Sequence, residues 1–341
     1  MTSAGKSKFA RPDRSAVALA ALLAAVLFLF ATSLLVGPAA IGLSRTFQAL
    51  FGNEFETTAL IIREIRLPRA VLGLAIGAAL GLSGAALQGF LRNPLAEPGL
   101  VGVSAAAAFG AVATFYSGLA ALFPLALPLG GMAGAGAAVL IIQILAGRDG
   151  GVMSLILAGI AITSFAAALT SLALNLAPNP FAALEIMFWL MGSLADRGFE
   201  HVWLAVPFIT LGGLLLLTLG RPLDALTLGE ETAATLGFDL ARVRLGIIVG
   251  TALSIGAATA VAGAIGFVGL VVPHLLRPLV GHRPSALLPA SALGGAALTL
   301  AADIAVRVLS PGRELKLGVL TALVGAPFFL ILILRRRRNT T

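Results

Sequence analysis

The chain has 341 residues, 59% of them apolar and 11% charged, with a mean hydropathy of +1.02; a soluble domain carries about 25% charged residues. With no cysteine, it has no disulfide framework, thiol nucleophile or cysteine metal site. Lys and Arg number 23 against 15 Asp and Glu, but they stand scattered at the ends of apolar runs rather than on one soluble face, which argues against nucleic-acid binding.

Apolar runs of membrane length predict ten spans, at 15–37, 68–90, 99–117, 120–146, 152–176, 201–219, 244–263, 266–280, 286–307 and 317–334. The expected fold is an all-α polytopic membrane protein. A cytoplasmic tail (1–14), one transmembrane domain (15–334) and a basic cytoplasmic tail (335–341) make up the chain. Lys6, Lys8, Arg11 and Arg14 precede the first run, which is too long for a signal-peptide core and reads as a retained helix.

Arg66 and Arg69 open the second span. Along it Gly73, Gly77, Gly81, Ala85 and Gly89 fall on one helical stripe, where another backbone can approach closely. The span ends in RNPLAEPG (92–99), where Pro94 and Pro98 forbid helix and Asn93 favours a turn. Gly130, Gly134 and Ala138 form a shorter stripe, and 178–200 reads as a partly helical stretch near a membrane face.

The longest inside connection is 220–242, GRPLDALTLGEETAATLGFDLAR. Its pattern predicts a short amphipathic helix from Leu228 to Leu236, ended at Gly237, with Asp224, Glu230, Glu231 and Asp239 exposed. Such an element suits docking to a cytoplasmic partner, against the plainer reading of a solvated connector. Gly246, Gly250, Ser254, Ala258, Ala262 and Gly266 make a second long stripe. The eighth span is short; within 263–284 Gly266 and Gly269 flank a short segment and Pro273 is expected to interrupt it. Broken helices at membrane depth are typical of transporters.

Even parity puts both termini inside. Fifteen Lys and Arg then lie in the cytoplasm and eight outside, as the positive-inside rule requires. Arg66, Arg69 and Arg307 fall at the outer ends of their spans, placed either to grip carboxylates of an acidic partner or to pair locally, since Asp303 and Arg307 stand four apart.

Catalytic chemistry has little support. GLSG (81–84) matches a short intramembrane serine-protease pattern with His274 as an imagined base, but the string is common in so glycine-rich a chain. His201, His274 and His282 stand at different ends of different spans, so no metal site is implied. The sequence holds no P-loop, so ATP must be hydrolysed elsewhere if it drives transport. A secondary carrier needs ionisable groups at mid-membrane; of Gln88, Gln143, Asn175 and Asp303 only Asp303 ionises, and it lies near a span end.

RLPR (66–69), GLSGAALQGFLRNPLAEPGLVGVS (81–104), LTLGEETAATLG (226–237), GFVGLVVPHLLRPLVG (266–281), ADIAVR (302–307) and GVLTALVGAPFF (318–329) together resemble the permease subunit of ABC importers for iron-siderophores, haem and cobalamin. The resemblance implies a type II importer bundle in the bacterial inner membrane and a homodimer with the path on its axis. It also implies two ATPase subunits that hold ATP and Mg, and one substrate-binding protein outside; the chain itself would bind no cofactor. By the same resemblance, Leu228, Gly229, Glu230, Glu231, Ala233 and Gly237 would dock on the ATPase, and Arg66, Arg69 and Arg307 on the binding protein. Gly73, Gly77, Gly81, Gly89, Asn93, Pro94 and Pro273 would serve packing and gating. The chain departs from the family pattern at Ala106, Ala264 and Lys316. Iron-siderophore is the first choice of substrate, with haem and cobalamin next.

Overall fold

The computed structural model describes residues 14–338 except 40, 53–56, 124, 148–150, 178 and 311–314. Lys6, Lys8, Arg11, Arg148, the N-terminal tail 1–13 and residues 339–341 lie outside the described residues.

The described chain is helical. α1 (Arg14–Leu35) leads to a short α2 (Leu43–Phe51). α3 (Thr57–Leu60) continues through a π-helical turn, Ile61–Arg66, into α4 (Leu67–Phe90). α5 (Val103–Tyr116), α6 (Ala126–Ala146), α7 (Val152–Asn175), α8 (Pro180–Leu190) and α9 (Phe199–Thr218) follow. Two short helices, α10 (Gly220–Leu226) and α11 (Glu230–Thr235), precede α12 (Leu240–Ala262), α13 (Val268–Val280), α14 (Pro284–Leu309) and α15 (Leu317–Arg338).

Among the described residues, seven helices are long and apolar enough to cross a bilayer. α5 and α13, with 14 and 13 residues, rise only about 20 Å against a hydrocarbon core of about 30 Å. Non-helical chain extends both: a 3₁₀ turn, Pro98–Val101, before α5, and a stretch at 263–266 before α13. With α15, these helices account for the ten predicted spans, and α8 fills the expected partly helical 178–200.

Each predicted stripe becomes a helix crossing, except that Gly266, expected to close the stripe of α12, lies beyond that helix and faces open space. α4 lies along α14, where a Cβ on Gly77 would fall 2.4 Å from the Gly295 carbonyl oxygen and one on Gly81 2.0 Å from that of Ser291. Gly73 faces Leu300 and Gly89 faces Pro284, so the stripe runs the length of α14. Gly250 on α12 meets Leu216 and the Gly212 carbonyl of α9, and Gly134 on α6 meets the Ala106 carbonyl of α5. α4 and α12 are the buried centre of the bundle.

Two expectations need correction. Pro273 does not interrupt the eighth span: it is buried inside an unbroken α13. The Gly269 carbonyl that would have met its missing N–H packs instead against Gly84. The break comes earlier, ending at Phe267, which holds φ +66. In the 220–242 connection the helix starts at Glu230 rather than Leu228, because Gly229 adopts φ +113. A separate α10 precedes it.

Candidate functional site: the two ends of the bundle

The arginines singled out in the sequence gather at one end, around the C-terminus of α1. Its last carbonyls have no helical partners. Arg66 donates to Leu34 O at 2.9 Å, to Leu35 O at 2.7 Å and to Ala39 O. Arg307 donates to Ser33 O at 2.8 Å, Val36 O at 2.7 Å and Ser33 Oγ at 2.6 Å. Asp303, 1% exposed, takes ion pairs from Arg307 at 2.9 Å and from Arg69 at 2.8 Å. The side chains of Arg66 and Arg307 are therefore turned into the protein, with Arg66 only 4% exposed. Arg69 is the more accessible, at 17%. The i,i+4 pair of Asp303 and Arg307 is made as its spacing allows, and Asp303 also binds Arg69 across the α4–α14 crossing.

The 220–242 connection lies at the opposite end, beside the C-terminus of α4 and the N-terminus of α14. α11 buries Ala233 and exposes Glu230 and Glu231, and Leu228 and Leu236 on either side of it are exposed at 67% and 59%. The predicted apolar side is thus divided: Leu226 and Ala233 anchor the segment while Leu228 and Leu236 face outward. Gly229 and Gly237, at φ +113 and +88, bracket the helix; positive φ at both turns favours glycine. Asp239 caps α12 through the N–H groups of Ala241 and Arg242.

Two contacts joining this segment to the bundle were not anticipated from sequence. Asp224, expected to be merely exposed, accepts from Ser285 N at 2.9 Å and Ser285 Oγ at 2.6 Å, holding the first turn of α14. Arg92 pairs with Glu230 at 3.0 Å. Arg92 opens the loop 91–97, where Leu95 N donates to Asn93 Oδ1 at 3.0 Å in an Asx turn. Gln88 braces this loop from inside: its amide donates to Ala96 O and Leu270 O, and its oxygen accepts from Arg277 at 2.8 Å. Burial in the same loop raises the Glu97 carboxyl above the ordinary carboxylate value.

The protease constellation is not assembled. Ser83 is fully buried and its Oγ has no hydrogen-bond partner, so no base reaches it. His274 stacks edge-on against Phe328 instead. His201 sits 3.0 Å from Glu200, and among the described residues no three His, Asp or Glu side chains converge on a metal position. Of the departures from the family pattern, Lys316 places its ammonium 5.7 Å over the Phe188 ring. Its neighbours Arg313 and Glu314 lie outside the described residues. A cleft of ≈ 570 Å³ opens between α5, α6 and α7, walled by Phe109, Gly134, Ile141, Phe165 and Leu169. Its walls are apolar and suit passage or lipid rather than tight polar binding.

A many-helix bundle with closely packed glycine crossings and an exposed two-helix connection at one end is the architecture of an ABC importer permease. The chain belongs to the FecCD transport family, which matches residues 23–335. It is 42% identical over 281 residues to the cobalamin import system permease BtuC of Halobacterium salinarum, covering 82% of this chain and 74% of that one. It is 38% identical over 331 residues to the ferric enterobactin permease FepD of Escherichia coli, covering 95% and 97%. A solved structure described as an inward-facing conformation of a metal-chelate type ABC transporter superposes with TM-score 0.83 at 31% identity, over 93% of this chain and 98% of that one.

Proposed function

We propose that this chain is the membrane-spanning subunit of an ATP-driven importer of metal chelates, working as a homodimer in the bacterial cytoplasmic membrane with both termini inside. Two ATPase subunits dock on the 220–242 connection, and one substrate-binding protein docks at the end that carries Arg66, Arg69 and Arg307. The chain contributes no ATP site; ATP and Mg belong to the partner. Ferric siderophore is the first candidate cargo, with cobalamin and haem next; relatives named for ferric enterobactin and for cobalamin support the first two about equally.

The observation that carries this reading is the α11 surface. A six-residue helix presents two glutamates between two flanking exposed leucines, Leu228 and Leu236, while Ala233 fixes it to the bundle, which is how a short docking helix is displayed on a rigid frame. At the other end, docking by the binding protein falls first on Arg69, because Arg66 and Arg307 are committed inward. Recruiting them would require exchanging their bonds to the end of α1 for carboxylates of the partner, which an arginine fork accepts readily.

The test is uptake into native-membrane vesicles enriched in this chain and its binding protein, with ferric enterobactin and cyanocobalamin as probes. Uptake of either that requires ATP and stops with vanadate supports the proposal. Uptake that follows an ion gradient without ATP refutes it in favour of a secondary carrier.

A further inference from the structure

Arg92 stands where a glycine would be expected. It follows α4 with φ +49; its N–H bonds to Gly89 O and the next N–H, of Asn93, to Gln88 O. That is the left-handed closing position of a helix, at which glycine leads because a side chain is strained there. A side chain kept at such a position calls for a reason outside the turn itself.

That reason is visible across the end of the bundle. The Arg92 guanidinium reaches Glu230, the first residue of α11, and both side chains are about half exposed, at 46% and 49%. A pair so exposed contributes little to stability, so its presence does not explain the strain as a folding device. It joins the docking helix to the loop 91–97, while Asp224 joins the same connection to the first turn of α14. α14 is the helix against which the α4 glycine stripe is packed. The connection therefore grips both partners of that crossing, α14 by two hydrogen bonds to its first turn and the end of α4 by a single exposed ion pair.

We infer that Arg92 is a positioning residue for transport: through Glu230 it makes the loop 91–97 follow α11 when the ATPase moves that helix. The inference rests on α11 being the ATPase-docking element. It predicts a separation of stability from coupling that a purely structural role would not give.

The absence of native cysteine makes the test direct. Leu95→Cys supplies a single thiol in the loop, and the full chain is purified with its associated ATPase into lipid nanodiscs. Maleimide labelling is timed with and without ATP and vanadate. With Arg92 present, the nucleotide is expected to change the labelling rate at least about threefold. Arg92→Gly should abolish that change while ATP hydrolysis continues and thermal stability stays level or rises. The exchange Arg92→Glu with Glu230→Arg should restore the response. If Arg92→Gly responds as the parent does, the link is wrong and the docking role of α11 survives. If the parent itself does not respond to nucleotide, both are wrong.

Discussion

The ion-paired arginines at the two ends of this bundle are used in opposite ways. At the end of α1, Arg69 and Arg307 share one buried carboxylate, and Arg66 and Arg307 take up five carbonyl oxygens of the segment 33–39. At the other end, Arg92 and Arg242 make single ion pairs on the surface, with Glu230 and Asp239. A buried charge that loses its partner is left uncompensated, whereas an exposed one is rescued by water. The first arrangement resists change and the second tolerates it, in keeping with the proposed docking of a partner at the second end.

The comparison can be broken most forcefully at Asp303. Asp303→Ala leaves Arg69 and Arg307 without their shared carboxylate, and a loss of about 3–5 kcal/mol is expected, read as a fall in thermal unfolding temperature in detergent. A loss no larger than that of Glu230→Ala would erase the distinction between the ends. Next comes the crossing that connects them: Gly81→Ala would set a methyl on the Ser291 carbonyl and should cost about 1–3 kcal/mol, measured the same way. Gly136→Ala, on the same kind of helix but facing open space, should cost nothing.

A pH dependence sharpens the end that carries α11. Burial raises Glu97 above its ordinary value of 4.5, so between that value and the raised one the folded chain holds more protons than the unfolded chain, and stability falls as pH rises through the window. Glu97→Gln should therefore match the parent below pH 4.5 and exceed it above the raised value, in unfolding temperature against pH. Equal curves would show that the carboxyl is solvated. The smallest effect belongs to Glu230→Gln, expected to shift stability by less than about 1 kcal/mol, even though nucleotide-driven movement of the 91–97 loop is lost.

Much of the frame was legible because membrane spans and close crossings write themselves in hydropathy and in small residues every fourth position. Gly77 and Gly81 could be assigned to an interface before the partner helix was known. Arg66 and Arg307 could be assigned to an end but not to a direction, since a guanidinium at a span terminus serves the neighbouring helix end and an outside partner with the same donors. Arg92 and Glu230 are 138 positions apart, and no periodicity couples them. α2 escaped notice because its outward apolar residues, Leu43, Phe47 and Phe51, share so short a helix with Ser44, Arg45 and Gln48. Pro273 misled for a simpler reason: a proline inside a helix costs a hydrogen bond and crowds the carbonyl four residues back, yet α13 continues through it, with that Gly269 carbonyl packed against Gly84.

The account turns on the α11 end being the place where an ATPase acts, and the most direct measurement is co-purification. The native chain and the double variant Leu228→Asp, Leu236→Asp would be drawn from the native membrane in mild detergent and their partners weighed by mass spectrometry. Both leucines are exposed, so the variant should fold as the parent does. A P-loop ATPase recovered with the parent and lost with the variant is the predicted result. Equal recovery, or a parent that emerges alone and transports without ATP, would contradict it.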